Sequence, residues 1–434
     1  MDYDLAIIGS GWAGFNAALK AKAHGLKVAL IEKEQIGGTC LNRGCIPTKA
    51  LLQSAKIYTL TKKSKIFGIE TTTPQINFPE IQARKNRIIQ QLRQGMKFML
   101  KGVDFINTQA RILSNNTLEI GQRQINTKFM LIATGSKPAE LHDIKFDGKK
   151  IISSNEILDL REIPKSLLII GGGVIGCEFA SLFYALGCQV SIVELTPQLL
   201  PGIDKEIARK LESVFKKRAV KVITGTDARN LDLTHYDLVL LCIGRTFVTE
   251  GLGLDKLGIK LEKGRIIVDE YLKSSIPNIY AAGDCASKIM LAHFAAYQGC
   301  IAAENIADPA HLKKANLSSV PNCIFTDPEI GSVGLTEEET KGKIDIRVNK
   351  FDFKALGMAR ILDETDGFIK IISEKKTGEI LGASIIGPRA TELIGILTIA
   401  IQSRLLVMHL RDAVLAHPTL SEGITSALKE EYGI

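Results

Sequence analysis

The 434-residue chain has few aromatic residues, no long apolar run and no cysteine-rich segment. Aromatic residues make up 6% of it, with a single tryptophan, which argues against a stacking platform for nucleic-acid bases. No apolar stretch approaches the roughly 18 residues that cross a bilayer, and the first residues show no basic region followed by an apolar signal core. We therefore expect a soluble, cytoplasmic protein without nucleic-acid or membrane partners.

The net charge decides little, whereas the cysteine content argues against a secreted disulfide scaffold. The formal net charge is +8, but the basic residues are spread along the chain among acidic ones, which indicates a solvated surface. Eight cysteines are too few for a secreted disulfide scaffold of this length, so most are expected to be free, buried thiols. The length and the 45% hydrophobic content suit an enzyme of about three domains.

A nucleotide-binding pattern opens the chain. Residues 5–8 form an apolar strand pattern, and the turn GSGWAG then places Gly9, Gly11 and Gly14 at GxGxxG spacing before a helical stretch. The next apolar strand ends at Glu32, about twenty positions on, where an acid can bind ribose hydroxyls. Glycine-rich turns alone occur in many folds, but strand, turn, helix, strand and acid fall in order here, which favours a nucleotide site.

The same pattern recurs in the middle of the chain. Residues 166–170 are a strand pattern, followed by a turn with Gly171, Gly173 and Gly176, a helix, and a strand ending at Glu194. An acidic side chain at the end of this strand accepts hydrogen bonds from a free ribose 2′-hydroxyl and repels a 2′-phosphate. Two nucleotides are therefore expected, and Glu194 favours NAD over NADP at the second site.

Two cysteines, Cys40 and Cys45, stand close together in GGTCLNRGCIPTK. A little more than one helical turn can bring their sulfurs together, and a helix start would lower the thiolate pKa of one of them. A metal site would need further Cys or His at ligand spacing, which the neighbourhood lacks. Two inert core cysteines remain an alternative to a redox pair.

Other side chains have both a structural and a functional interpretation. Asp284 follows a strand as an ordinary turn residue, or holds the ribityl or phosphate region of a flavin. His417 is a structural histidine, or a base whose tautomer is fixed by Glu422, five residues on. Lys49 is a surface lysine, or a cation beside a redox centre.

The segment GGTCLNRGCIPTK resembles the active-site signature of the pyridine nucleotide-disulfide oxidoreductases, and it is most similar to the dihydrolipoamide dehydrogenase branch. The resemblance extends over the chain through GSGWAG, ATGS, GGGVIGCE, CIGR, AAGD, LAH and AHPTLSE. It implies an α/β fold with two Rossmann-like domains, for FAD and NAD, and a C-terminal α+β dimerisation domain. The expected boundaries are 1–145 for the FAD domain, 146–262 for the NAD domain, 263–316 for a segment completing the FAD domain, and 317–434 for the dimerisation domain.

The resemblance also implies roles for individual residues. Cys40 exchanges with substrate, Cys45 faces the flavin as a charge-transfer thiolate, and His417 with Glu422 of one subunit completes the disulfide site of the other. Lys49 lies near flavin N5 and pairs with Glu178. Further positions matching the cofactor-binding motifs are Gly38, Thr39, Thr134, Gly135, Gly244, Asp284 and Ala292.

The implied activity is FAD-dependent oxidation of protein-bound dihydrolipoamide to lipoamide, with reduction of NAD to NADH, by a homodimer. The implied partner is the lipoylated acyltransferase of a 2-oxoacid dehydrogenase complex or the lipoyl carrier of glycine cleavage. Glutathione reductase-like enzymes usually carry a Tyr where this chain has Val174, and mercuric reductases carry a C-terminal cysteine pair that residues 429–434 lack. A related NAD(P)H-dependent disulfide reductase and a non-catalytic flavoprotein subunit remain alternatives, and Arg43 and residues 246–248 depart from the usual pattern.

Overall fold

A computed structural model of the chain describes residues 1–317 and 319–429. The C-terminal residues 430–434, which bear on the mercuric reductase alternative, lie outside the described part. The strands are β1 Tyr3–Ile8, β2 Val28–Glu32, β3 Asp104–Asn107, β4 Ala110–Ile112, β5 Thr117–Ile120, β6 Arg123–Ile132, β7 Ser136–Pro138, β8 Ile151–Ile152, β9 Ser166–Ile170, β10 Gln189–Val193, β11 Lys221–Ile223, β12 Leu238–Leu241, β13 Arg245–Phe247, β14 Leu261–Glu262, β15 Arg265–Ile266, β16 Ile279–Ala281, β17 Asn322–Ile324, β18 Glu329–Gly334, β19 Ile346–Asp352, β20 Phe368–Glu374 and β21 Ile380–Gly387. The α-helices are α1 Trp12–Ala23, α2 Gly38–Arg43, α3 Cys45–Lys62, α4 Phe78–Met99, α5 Val174–Ala185, α6 Lys205–Lys217, α7 Ala292–Ala307, α8 Glu337–Thr340, α9 Gly357–Ile361, α10 Ala390–Gln402, α11 Val407–Arg411 and α12 Glu422–Leu428. Short 3₁₀ helices cover Ser64–Phe67, Glu156–Asp159, Ala228–Asn230, Asp255–Leu257 and Phe353–Ala355.

The first sheet has the strand order β3-β2-β1-β6-β5-β4, and β16 pairs with β6. Its central strands are parallel and buried, with helices α1 and α7 on one face and strands β4, β5 and β15 on the other. Helices α1 and α7 pack closely against each other, since a Cβ at Gly299 of α7 would lie 2.1 Å from the carbonyl oxygen of Ala13 in α1. The chain therefore returns to its first sheet after a long insertion.

The insertion carries the second sheet, in the order β11-β10-β9-β12-β8, with every described pairing parallel. The chain leaves the first sheet through β7 and returns through β13, and these two strands pair antiparallel with each other. Val248 N donates to the carbonyl oxygen of Gly135 at 3.0 Å, next to this ribbon. The entry and exit of the insertion thus form one two-stranded connection.

The third sheet is antiparallel, in the order β17-β18-β21-β20-β19. Its buried face packs against α10 and α12 around Phe353, Leu397 and Ile424. One α/β sheet with a parallel centre and antiparallel β4 and β5, one fully parallel α/β sheet and one antiparallel sheet with helices confirm the fold class expected from the sequence. Among the described residues, none of the helices combines the length and apolar character needed to span a membrane.

Candidate active site

The first glycine turn is built around two close backbone contacts. Gly9 has φ +102°, and a Cβ there would lie 2.4 Å from the carbonyl oxygen of Ala133. A Cβ at Gly14 would lie 1.8 Å from the carbonyl oxygen of Gly9. The turn leads into α1, whose N-terminal cap, Gly11, makes no side-chain capping hydrogen bond. The backbone N–H groups at such a helix start can donate hydrogen bonds to an anion such as a pyrophosphate.

The second glycine turn repeats these contacts. Gly171 has φ +112°, with a Cβ position 2.4 Å from the carbonyl oxygen of Cys242, and a Cβ at Gly176 would lie 2.0 Å from the carbonyl oxygen of Gly171. Gly173 caps α5 without a side-chain hydrogen bond. The chain therefore contains two equivalent cradles, each at the carboxyl ends of a parallel sheet, where ligands of such folds bind.

The two strand-end acids fasten these turns. One oxygen of Glu32 accepts from Ser10 N and Ser10 Oγ, both at 2.8 Å. Glu194 accepts from Gly172 N at 2.6 Å and from Thr196 N at 2.8 Å. Both carboxylates are buried. Each acid thus orients the backbone of its own turn, a contact that sequence reasoning did not identify.

A cavity of about 860 Å³ runs between the two turns and past the cysteine pair. This volume is typical of a cofactor or small-molecule site. The sequence-predicted residues that line the cavity are Gly11, Thr39, Cys40, Cys45, Lys49, Gly135, Gly171, Gly173, Glu178, Glu194, Gly244, Asp284 and Ala292. Those outside its lining are Gly9, Gly14, Glu32, Gly38, Thr134, Gly176, His417 and Glu422.

The two cysteines lie on two consecutive helices rather than on one helix. Cys40 is in α2 and Cys45 begins α3, with the break at Gly44, where φ is −148° and ψ is −114°. Both thiols are free. Between the two elements, a Cβ at Gly44 would approach the carbonyl oxygen of Thr39 to 3.0 Å.

The pKa values of the two thiols are shifted in opposite directions. A hydrogen bond from Cys40 is the main cause that lowers the pKa of Cys45 to about 7, and Lys49 and a backbone hydrogen bond at the helix start act in the same direction. The hydrogen bond with Cys45, together with burial, raises the pKa of Cys40. Within the reduced pair, Cys45 is therefore the more acidic thiol and Cys40 the hydrogen-bond donor.

Lys49 and Glu178 meet at the wall of the cavity. Lys49 Nζ lies 2.8 Å from both carboxylate oxygens of Glu178, and it stands 4.6 Å above the ring centroid of Phe325. Glu178 is buried and also accepts from Phe325 N at 2.9 Å. Glu178 thus holds Lys49 as a fixed cation near Cys45, and the charge of Lys49 lowers the pKa of that thiol.

Asp284 belongs to a polar network that joins the insertion to the first sheet. Ser136 Oγ donates to Asp284 at 2.5 Å, and Arg245 donates to Ser136 Oγ and to its carbonyl oxygen, each at 2.7 Å. Burial lowers the pKa of the Arg245 guanidinium, while Asp284 acts in the opposite direction. Next to it, Thr134 Oγ1 donates to the carbonyl oxygen of Val248 at 2.5 Å.

His417 and Glu422 pair with each other at a distance from the cavity. His417 Nδ1 lies 2.9 Å from Glu422, whose other oxygen accepts from Thr419 N at 2.7 Å. These bonds lower the pKa of Glu422, chiefly through the Thr419 backbone. The imidazole is 80% exposed and does not line the cavity with Cys40. Within one chain, the structure does not bring this pair to the thiols.

Sequence reasoning missed two residues of the cavity wall. Arg245 has a usable signal, because it directly follows a glycine after a buried strand and faces a strand-end carboxylate. Trp12 has a weaker one, an indole inside a glycine turn that also lines the cavity.

Comparison with known families decides the classification. Residues 3–299 match the pyridine nucleotide-disulphide oxidoreductase family, and residues 320–428 match the dimerisation domain of that family. The chain belongs to the pyridine nucleotide-disulphide oxidoreductases. As a member of this family, it has the domain that supports assembly as a homodimer.

Relatives of this oxidoreductase match over nearly the whole chain. It is 40% identical to a dihydrolipoyl dehydrogenase of Chlamydia pneumoniae, over 97% of this chain and 95% of the relative. A dihydrolipoyl dehydrogenase of Bacillus subtilis is 38% identical over 99% of both chains. Among solved structures, LpdA from Mycobacterium tuberculosis matches with a TM-score of 0.90 and 28% identity, covering 98% of each chain. The HOCl-induced flavoprotein disulfide reductase RclA from Escherichia coli matches with a TM-score of 0.88 and 29% identity, over 98% of this chain and 99% of that one.

Proposed function

We propose that this oxidoreductase is an NAD-dependent dihydrolipoyl dehydrogenase that uses FAD and the Cys40–Cys45 pair. The observation that carries the proposal is the pairing of a low-pKa thiolate with a neighbouring thiol in a cavity that joins two dinucleotide cradles. The names of the full-length relatives from Chlamydia pneumoniae and Bacillus subtilis support the same substrate.

The residues present fit two dinucleotides. We assign FAD to the first turn, with Glu32 at the end of the neighbouring strand. The backbone N–H groups at the start of its helix have no side-chain cap, and its glycines leave room that any Cβ would fill. The second turn repeats these features with Glu194, and we assign NAD to it. FAD, when bound, supplies a two-electron acceptor that couples thiol oxidation to nicotinamide reduction. Gly38, Thr39, Thr134, Gly135, Asp284 and Ala292 are proposed for the flavin side, and Gly244 for the nicotinamide side.

The thiol chemistry follows from the acidity of the two sulfurs. A substrate thiolate attacks Cys40 Sγ of the oxidised pair, the Cys40–Cys45 bond breaks, and its electron pair goes to Cys45. The helix start and Lys49 stabilise the thiolate that leaves. The second substrate thiol then attacks the sulfur bound to Cys40, and the disulfide of the product forms as Cys40 is released.

A proton acceptor is needed for the substrate thiols, and we assign it to His417 of the partner subunit. The support is that His417 is exposed, oriented by Glu422 and absent from the cavity of its own chain, while the chain carries a dimerisation domain. Lys49 is proposed to sit beside the reacting part of the flavin, held by Glu178.

The physiological partner we infer is a lipoylated acyltransferase of a 2-oxoacid dehydrogenase complex or a glycine-cleavage lipoyl carrier. We also infer a cytoplasmic location, supported by eight free thiols, which suit a reducing compartment.

The testing experiment measures NAD reduction by dihydrolipoamide with the purified holoenzyme, beside NADPH oxidation by glutathione disulfide. Rapid NADH formation that disappears in a Cys45→Ser variant is the expected result. Turnover of glutathione disulfide without turnover of dihydrolipoamide would keep the thiol chemistry and overturn the substrate. Absence of both, in a protein that retains its flavin, would favour a non-catalytic subunit.

A further inference from the structure

The single tryptophan of the chain carries a buried donor that no described residue satisfies. Trp12 follows Gly11 in the first glycine turn, and its indole Nε1 is enclosed yet has no hydrogen-bond partner among the described residues. A buried N–H left without an acceptor is costly and unusual, so each case points to a missing partner or to a function. The proposed function leaves this indole without a role.

The turn that carries Trp12 packs against the helix that carries Cys40. A Cβ at Gly38 would lie 2.6 Å from the Cα of Gly11, so the two backbones are in direct contact. Trp12 and Cys40 line the same cavity. The Trp12 side chain acts to lower the pKa of Cys40, against the larger raising effects of Cys45 and of burial. The backbone packing, the shared cavity and the effect on the Cys40 pKa thus place Trp12 in the neighbourhood of the exchanging sulfur.

We propose that the indole N–H of Trp12 donates a hydrogen bond to Cys40 Sγ whenever that sulfur carries negative charge, which makes Trp12 a catalytic residue of thiol exchange. The inference rests on the proposed disulfide chemistry of this site. It adds a donor at the sulfur that contacts substrate, whereas the helix start acts on Cys45 and Lys49 lowers the pKa of both thiols.

The role belongs to the release of product. In the mixed disulfide, the bond joins Cys40 Sγ to one substrate sulfur. The second substrate sulfur, having lost its proton to the base, attacks the first, so a new sulfur–sulfur bond forms in the product and the bond to Cys40 breaks. The electron pair remains on Cys40 Sγ, and a donor there stabilises the leaving thiolate and speeds the step. Cys40 then takes up a proton.

The first experiment isolates the acidity of Cys40. In a Cys45→Ser holoenzyme, the pH profile of Cys40 alkylation by iodoacetamide, read by mass spectrometry of its peptide, gives the pKa of that thiol without its partner. Adding Trp12→Phe removes the donor and keeps an aromatic ring. We expect the alkylation rate at neutral pH to fall roughly tenfold, the effect of one hydrogen bond to a charged group. The control adds Phe15→Leu instead, which changes packing in the same helix and should leave the pH profile of Cys40 alkylation unchanged.

Two outcomes overturn the proposal. The alkylation profile could stay unchanged in Trp12→Phe while flavin retention falls, in which case the indole serves the cofactor alone. Equal shifts of the Cys40 alkylation profile in the Trp12→Phe and Phe15→Leu backgrounds would show that a change in packing causes them. Neither readout uses lipoamide, so a wrong substrate assignment and a wrong role for Trp12 give different results.

A second experiment decides the matter without replacing Trp12, including the case in which Trp12→Phe does not fold. One tryptophan gives one indole ¹⁵N–¹H signal in the labelled Cys45→Ser holoenzyme. We expect this signal to move downfield as Cys40 ionises and to lose that titration in a Cys40→Ser/Cys45→Ser protein. A signal that stays fixed across the Cys40 titration would overturn the proposal.

Discussion

Lys370 Nζ lies 2.7 Å from Asp204 Oδ2, and both side chains are only 1% exposed. Lys370 belongs to β20 of the antiparallel sheet, while Asp204 caps the start of α6 through a hydrogen bond from Glu206 N at 2.9 Å. The ammonium also contacts the carboxylates of Glu206 and Glu337. The loop before α6 lines the nucleotide cavity, so this ion pair ties the third sheet to the second cradle.

Replacing Lys370 with Met is expected to destabilise the fold strongly. The substitution leaves three carboxylates together without their cation, and breaking a buried pair in this way typically costs about 3–5 kcal/mol. Lys350→Met is the matched control, because Lys350 is 44% exposed and contacts the same Glu206. It should cost about 1 kcal/mol or less. Urea unfolding of the two variants would measure the difference, and similar midpoints would contradict the prediction.

The ionisation of Cys45 sets a pH dependence for the reduced protein. Because the pKa of Cys45 is lowered to about 7 from its ordinary 9.0, alkylation of this thiol should rise through pH 7. Between these two values the unfolded chain holds a proton that the folded chain has lost. Cys45 therefore adds stability as pH rises through this window, and that contribution is lost as pH falls through 7. Cys40→Ala removes the main cause and should move the alkylation midpoint upward; an unmoved midpoint would assign the low pKa to the helix start.

Lys49→Ala should slow reduction of the flavin by NADH, by about tenfold or more, because it removes the fixed cation held by Glu178. Stopped-flow absorbance of the holoenzyme measures this rate. Lys56→Ala is the control, since Lys56 lies two turns along the same helix in a half-exposed pair with Glu364. An unchanged rate in Lys49→Ala would remove the proposed role.

Glu194 is expected to set the nucleotide preference. The wild type should use NADH better than NADPH, and Glu194→Ala should raise the KM for NADH about tenfold, because two backbone donors lose their charged acceptor. Steady-state ratios of kcat/KM for the two nucleotides give the answer. Glu32→Ala, the same change in the first turn, should weaken flavin retention and leave this ratio unchanged. A wild type that prefers NADPH would refute the assignment.

Activity should depend on two chains at each site. Cys45→Ser and His417→Ala are each expected to reduce dihydrolipoamide oxidation by at least about a hundredfold. Coexpressed, the two variants form mixed dimers in which one of the two sites has an intact thiol pair and an intact histidine from the partner. The random mixture should regain about a quarter of wild-type activity. No recovery, with mixed dimers verified by mass spectrometry, would argue against a shared site.

Local patterns in the sequence were sufficient to predict the two glycine turns, because the steric demands on Gly14 and Gly176 act between near neighbours: each faces the carbonyl oxygen of the glycine five positions before it. The full fold class, with its C-terminal α+β domain, was implied by the resemblance of the motifs to the pyridine nucleotide-disulfide oxidoreductases. Contacts between distant segments could not be read in this way: Asp204 and Lys370 are 166 positions apart, and their burial depends on how two sheets meet.

At the candidate site, the cysteine spacing indicated the redox pair but not the break at Gly44 that gives Cys45 its own helix start. The position of His417 away from the thiols of its own chain also has no signature in the residues around it. Both features depend on backbone geometry or on a second chain, which residue patterns do not encode.

The antiparallel pairing of β7 with β13 places the two backbone connections of the second parallel sheet side by side, so that they form one narrow covalent attachment. Such an attachment makes the inserted segment an exchangeable unit for protein engineering. A chimera joined within Ser136–Pro138 and Arg245–Phe247, with Glu178 and Asp204 retained as the partners of Lys49 and Lys370, would transplant coenzyme preference from a relative while leaving the cysteine pair and the antiparallel sheet in their own sequence.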